Sequence, residues 1–376
     1  MPEAPRTYLC TWMYGDAPGE ESVYPQVAGV SSAPAFQEVY WRCVAIFFAS
    51  SARHNPEARH LLFTNVSAVP TVDGLDLAAF LDGLGVEVVP LPLTYHTPEG
   101  YYGAWRNQFY VFDAVAHLAG RLADDDRCVL LDSDCVWVRS ADALAEAVAR
   151  EGALTYDIGL RPGWPQNGLN REEMGAIFSE LLPERPVASP LYFGGEIFAA
   201  TGRETRRVAA EILPLWETLL ARHRAGRPKL NEEAHALSFV YHKLGYGAGT
   251  ADPFIKRIWT TLLYESDAAA SDLDLTVWHL PAEKRFGLRR MYDDVRDPAS
   301  AFWQTPTGPA FRRYAGAVLG VPRRSPAKLV RDVATAVREK RRGEGVVAAL
   351  RRAAVRNLTT LRWSLRDRLR PSTPAR

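Results

Sequence analysis

The sequence predicts an α/β protein, a layered and mostly parallel sheet followed by a basic helical tail. Three observations predict it. Short apolar runs alternate with stretches of helical periodicity between residues 7 and 279, one such run stops abruptly at paired aspartates, and the charge changes sign near Val321. Beyond Val321 the chain carries 16 basic and 4 acidic residues, 16 − 4 = +12, so with a total of +1 the preceding body carries 1 − 12 = −11. The expected division is therefore a catalytic-size domain over 1–321 and an appendage over 322–376.

Residues 7–14 are aromatic and β-forming and end at Gly15 and Asp16, which predicts a first buried strand and its exit loop. Residues 38–51 form an apolar helix. Residues 61–66 and 86–91 are further short strands, the second preceded by a helix over 77–84. Trp105, Phe109, Phe112, Ala116 and Ala119 recur at helical spacing across 105–122 and lead into a wholly apolar strand at 128–131. The Gly- and Pro-rich stretch 162–190 predicts loops around a short helix at 171–182, and 191–200 returns to a strand pattern. Val208, Ile212, Leu215 and Leu219 share one face of a helix over 203–224. A second helix over 232–244 and a last strand over 275–279 complete the body. Strands alternating with helices in this way imply a sheet covered on both faces.

With 376 residues and 47% of them hydrophobic, the chain can bury a full core. Cys10, Cys43, Cys128 and Cys135 are scattered with no Cys-x-x-Cys spacing, which argues against a zinc site or a disulfide framework and for a reducing compartment. The polar start, residues 1–6, offers no signal core, and no apolar run reaches membrane-spanning length. A cytoplasmic protein is expected, peripheral at the inner membrane face if the tail docks there. Neither a Gly-x-Gly-x-x-Gly loop after the first strand nor a Walker loop occurs, which excludes the common dehydrogenase and kinase designs. An acidic body without a recognition motif excludes nucleic acid as the expected partner.

The strongest chemical signal is Asp132-Ser133-Asp134, directly after the apolar strand and before a second apolar run. In parallel α/β sheets ligands meet the carboxyl ends of strands, so both carboxylates face the crevice. Aspartates at i and i+2 offer hard oxygen ligands to Mn²⁺ or Mg²⁺ and leave positions open for diphosphate oxygens. Asp124/Asp126 and Asp272/Asp274 share the spacing without the flanking strand and are expected to be turn or capping acids.

Strand, Asp-x-Asp and second strand, preceded by Trp105-Arg106-Asn107-Gln108-Phe109-Tyr110, resemble the glycosyltransferase A (GT-A) fold over residues 7–292. The downstream half is most similar to the retaining family of the blood-group A and B transferases and α-1,3-galactosyltransferase. Tyr192-Phe193-Gly194-Gly195-Glu196-Ile197-Phe198 resembles that family's acceptor strand, Asn231-Glu232-Glu233-Ala234-His235 its Asp-Glu-Ser-His segment, and Lys284-Arg285-Phe286 its basic stretch over the diphosphate. The resemblance implies a metal-dependent transfer, with retention, of a hexose from a nucleotide diphosphate donor such as a UDP-sugar to a hydroxyl of a glycan, lipid-linked or small-molecule acceptor. It implies Glu233 as nucleophile or front-face stabiliser, Gly194, Gly195 and His235 at the acceptor, Lys284 and Arg285 on the diphosphate, and Tyr14 stacked on uracil. Glu232 and Ala234 depart from the family's aspartate and serine. The glycogenin-like family is the second resemblance, and there His279 would match a late histidine that serves as third metal ligand.

Each residue has a competing structural reading. Glu233, near a helix start, is favoured there by the helix dipole alone. Glu196, a second catalytic candidate, lies among apolar residues and needs a partner such as an arginine. His279 could be a hydrogen-bonded core histidine, Lys284 and Arg285 a solvated turn, and Tyr14 core packing. Arg106, Asn107 and Gln108 are donor-binding candidates or simply a polar helix face. In the tail, 328–337 and 346–369 place apolar residues and arginines at helical spacing, which suits an anionic membrane surface, a partner, or a solvated helix closing on the core. Two other functions fit the same frame: a non-catalytic sugar-binding or scaffold protein, and a sugar nucleotidyltransferase, although Trp12-Met13-Tyr14-Gly15 lacks the latter's Gly-rich basic loop.

Overall fold

The computed structural model describes residues 4–261 and 266–341. In chain order the body comprises β1 (Thr7–Met13), α1 (Pro34–His54), β2 (Arg59–Thr64), a hairpin of β3 (Thr71–Val72) and β4 (Leu75–Asp76), α2 (Leu77–Gly83) and β5 (Val86–Pro90). A 3₁₀ turn (Arg106–Phe109) opens α3 (Tyr110–Arg121), followed by β6 (Arg127–Leu131), β7 (Cys135–Trp137), α4 (Asp142–Glu151), β8 (Ala153–Leu154) and α5 (Arg171–Leu181). Next come β9 (Ile197–Thr201), α6 (Gly202–Arg224), α7 (Glu233–Leu244), β10 (Ile255–Arg257) and β11 (Val277–His279). Four helices follow: α8 (Gly287–Val295), α9 (Ala301–Gln304), α10 (Pro309–Leu319) and α11 (Pro326–Arg341).

The central sheet runs β5-β2-β1-β6-β9-β8, parallel through β6 and antiparallel at β9 and β8. Alternation along its strands divides the core in two. Leu9 and Met13 of β1 and Val129 and Leu131 of β6 pack on the α1 side, while Tyr8, Cys10, Cys128 and Leu130 face the α3 and α6 side. Both faces are covered, so these strands read as unbroken apolar runs. All four cysteines are buried and free, as their scattered spacing predicts.

The predicted elements fall close to their expected places, with two informative shifts. α1 is longer than the apolar window because Pro34 supplies a first helical residue with preset φ and Arg53 and His54 suit the last turn. The strand expected over 191–200 starts only at Ile197, since Gly194-Gly195-Glu196 turns away before joining β6. In a second small sheet, β10-β11-β7, the strand expected over 275–279 and the apolar run after Asp134 appear as β11 and β7, whereas the three-residue β10 went unpredicted. Among the described residues no helix is long and apolar enough to cross a membrane. Residues 346–369, read from sequence as an amphipathic helix, lie outside the described residues. The 328–337 stretch is helical and belongs to α11.

Candidate active site

β6 ends at Leu131, and the next two residues with carboxylates, Asp132 and Asp134, emerge at the carboxyl edge of the parallel sheet. Two backbone bonds fix what meets them. The Asp132 N–H donates to the Glu196 carbonyl at 3.1 Å, tying the entry to β9 against the end of β6. The Leu280 N–H donates to the Asp134 carbonyl at 3.1 Å, continuing the antiparallel pairing in which His279 stands opposite Cys135. Parallel pairing of β10 with β11 then sets Arg257 opposite His279. The small sheet thus delivers a histidine and an arginine to the tip of a strand in the large one.

His279 Nε2 lies 3.2 Å from Asp134 Oδ1 and 3.7 Å from Asp132 Oδ2, and one ligand atom from each of these three residues falls within 4.8 Å of the other two. On its other side the His279 ring is held by Glu196, Nδ1 to Oε1 at 3.3 Å, and Glu196 is gripped by the two-pronged Arg257 guanidinium at 2.8 Å and 2.8 Å. Such a carboxylate behind a histidine fixes its tautomer and aims the remaining nitrogen. Among the described residues that nitrogen is buried without a hydrogen-bond partner, which is what an imidazole metal ligand requires. Two hard oxygens and one imidazole suit Mn²⁺ or Mg²⁺.

Lys284 Nζ bonds Asp134 Oδ2, and both groups are buried. Burial would raise the Asp134 carboxyl, but the Lys284 and His279 charges hold it well below the ordinary range. Asp132 has no such lysine contact among the described residues; burial and the adjacent Asp134 charge push it up. Burial likewise works against the charge on Glu196, yet Arg257 and His279 bring it down to about 2. His279 in turn rises to about 9 despite its burial, because Asp134 and Glu196 face it.

Across the cavity a second acid pair sits at the start of α7. The Tyr192 hydroxyl donates to Glu232 Oε1 at 2.8 Å and the Asn167 amide donates to Glu232 Oε2, whereas Glu233 Oε2 is buried with no hydrogen-bond partner among the described residues. Within that set neither carboxyl meets a lysine or arginine in bonding range, and burial raises both, with Glu232 adding to the rise of Glu233. The two glycines before Glu196 make room for these acids. A Cβ on Gly194 would collide with Glu196 Oε2 and Ile158, and one on Gly195 would come 2.6 Å from Glu233 Oε1.

A cavity of about 540 Å³ opens over both acid pairs. Trp12, Tyr14, Trp105, Trp164 and Trp259 line it with aromatic faces, and Asp132, Asp134, Glu196, Glu232, Glu233, His279, Lys284 and Gly195 supply its polar floor. Of the residues expected there, Arg106, Asn107, Gly194, His235 and Arg285 do not line it. Asn107 turns inward and donates to the buried Asp16 at 2.8 Å, so that Asp16 rather than Asn107 faces the cavity; Arg106 reaches the Thr97 carbonyl at 3.4 Å. Their neighbours Trp105 and Gln108 are the wall residues, because the 3₁₀ turn and the left-handed φ of 58° at Trp105 rotate the segment by a different phase than an α-helix would. His235 is fully buried behind Glu232, its ring across that of Tyr192, and burial pushes it down to about 3.

Arg257 carries the second layer of the site, and no local signal in the sequence marks it. Asp126 and Asp272 cap turns but are buried rather than solvated, accepting from the Arg6 and Ala123 N–H groups and from the Ala269 N–H, while the exposed Asp124 and Asp274 pair with Arg206 and Arg139. The chain matches no family model, and no curated protein matches it in sequence.

Proposed function

We propose that the chain is a metal-dependent glycosyltransferase of GT-A type that takes a hexose from a nucleoside diphosphate donor, with retention, and passes it to an acceptor hydroxyl. The observation that carries this reading is the Asp132, Asp134 and His279 cluster at the carboxyl edge of a parallel sheet, opening onto a cavity of about 540 Å³, a volume suited to a nucleotide sugar. These three residues would hold Mn²⁺ or Mg²⁺, which when bound supplies Lewis-acid stabilisation of charge on a departing diphosphate.

The chain's own groups supply the rest. Lys284 brings a buried positive charge to the same edge, where it can turn from Asp134 to a phosphate oxygen. Trp12, in the carboxyl half of β1, and Tyr14, just past its end, offer flat faces to a base. Glu233, which lines the cavity and whose Oε2 has no hydrogen-bond partner among the described residues, is the group suited to meet positive charge developing at the anomeric carbon, as nucleophile or as front-face stabiliser. Glu196 is engaged on both oxygens by Arg257 and orients His279, so its role here is positioning.

The test is a screen of UDP- and GDP-sugars by calorimetry with and without Mn²⁺, followed by NMR assignment of the product anomer. Donor binding that needs the metal, and UDP release with retention, are the expected results. Metal-independent donor binding would remove the Asp132/Asp134 role, and an inverted product would recast Glu233 as general base. Tight binding without turnover across many acceptors would favour the scaffold reading.

A further inference from the structure

Helix α11 has two unlike faces. Inward, the Lys328 ammonium is completely buried between Glu283 Oε1 at 2.8 Å and Asp332 Oδ2 at 2.6 Å, and Arg290 adds a bond to Asp332 at 2.9 Å. Thr260 donates to the same Glu283 at 2.5 Å, and Arg324 donates to the Thr261 carbonyl at 2.9 Å. Breaking a buried pair of this kind strands a charge, so the inner face is locked to the body. Glu283 directly precedes Lys284, the cation on Asp134, so α11 is bolted to the loop that closes the cavity.

Outward, Leu329, Val330, Val333 and Val337 are 44%, 68%, 47% and 45% exposed. At 100° per residue these four span a single arc of the helix, on the side away from Lys328 and Asp332. They are most of the large apolar side chains that the described residues leave exposed. Scattered exposed apolar residues need no explanation, but a stripe on one helix does. Arg331 and Arg338 are exposed on one side of the helix, about 100° and about 80° round from Val330, and the sequence from 322 onward carries +12 against −11 for the rest.

We propose that this outward stripe of α11 is a docking face for an anionic lipid surface, with Leu329, Val330, Val333 and Val337 entering the headgroup boundary and the net positive charge of the sequence beyond Val321 favouring anionic lipid. The polarity of the molecule selects the occupant. A negatively charged surface attracts the region beyond Val321 and repels the body, so only this end approaches, and the narrow apolar arc suits the headgroup boundary. A second copy would bring a like-charged face to the same stripe. Because the inner face is fixed to the Glu283–Lys284 loop, docking would hold the cavity at a set height above the lipid.

The experiment uses the full chain without donor or metal, so its failure is independent of the glycosyltransferase reading. Sedimentation with vesicles of 30% phosphatidylglycerol in phosphatidylcholine is compared with pure phosphatidylcholine. Binding to the anionic vesicles alone, weakened in 0.5 M salt and weakened tenfold or more by Val330→Asp with Val333→Asp, is expected. Val330→Cys carrying an environment-sensitive fluorophore should shift to the blue on anionic vesicles; the native cysteines are buried. A label that stays in water while the protein sediments would overturn the proposal, as would equal binding of the double variant. So would a concentration-dependent dimer abolished by the double variant, or a stripe already dry in the absence of lipid.

Discussion

The cavity holds two acid pairs with opposite electrostatics. Asp132 and Asp134 share their end with Lys284 and His279, and the Glu196 beside them is matched by Arg257. Among the described residues Glu232 has only neutral donors, Tyr192 and Asn167, and Glu233 Oε2 has none. In the first pair two cations hold Asp134 charged, so one cation can replace another there at little cost, although Asp132 beside it is pushed up. The second is raised toward its neutral form and gains a countercharge only if a ligand brings one. Burial is similar at both ends; the supply of cations differs.

The largest effect that would sharpen this contrast is Asp132→Asn. Metal-dependent UDP release should fall by at least about 10³-fold, about 4 kcal/mol of transition-state stabilisation, while the melting temperature stays level or rises because a crowded buried charge is removed. Turnover that survives with Mn²⁺ would take the first pair out of the chemistry. Next, Arg257→Ala should cost about 3 kcal/mol in urea unfolding, because it leaves the Glu196 carboxylate buried without its main partner. Glu233→Gln should change stability by less than about 1 kcal/mol, since an amide replaces a carboxyl already held toward neutral. An equal loss in both variants would break the comparison.

The pH dependence separates the ends further. Glu232 is raised in the folded state, so its contribution is fully present below the ordinary carboxylate range and is lost as pH rises through neutrality. Across that window the loss approaches about 1.4 kcal/mol for each step of one in pH, the free energy of a tenfold change in proton concentration. Metal-free protein should therefore lose stability over that rise, and Glu232→Gln should flatten the slope in chemical-denaturation curves taken across pH. His235, lowered to about 3, acts oppositely: its contribution holds above its ordinary value and is lost as pH falls toward 3. A further effect is expected from Gly195→Ala, where the new methyl presses on Glu233 Oε1. Turnover should drop about tenfold, or 1.4 kcal/mol, with little change in the unfolding midpoint because the displaced group is the end of a flexible side chain.

Periodicity and strand-end logic made the alternating layers legible, along with the position of Asp132/Asp134, the amphipathic α6 and the opposite charges of body and tail. Those features depend on residues adjacent in the chain, whose spacing sets which face they share. Partnership depends on closure of the whole sheet, and there the sequence offered only a type of partner, an arginine for Glu196, without saying which one. Lys284 meets Asp134 across 150 residues, His279 meets Glu196 across 83 and Arg257 meets Glu196 across 61. Three-residue strands, too short to carry a period, align these side chains. The 3₁₀ turn that sends Asn107 to Asp16 and shows Trp105 and Gln108 to the cavity is a matter of phase, which tertiary packing sets. The sequence by itself determined which residue types stand at the strand tip and on which helices the charges ride. Only the tertiary structure decided which acids receive a cation, because a buried carboxylate's charge is fixed by whatever the folded chain brings within a few ångströms of it.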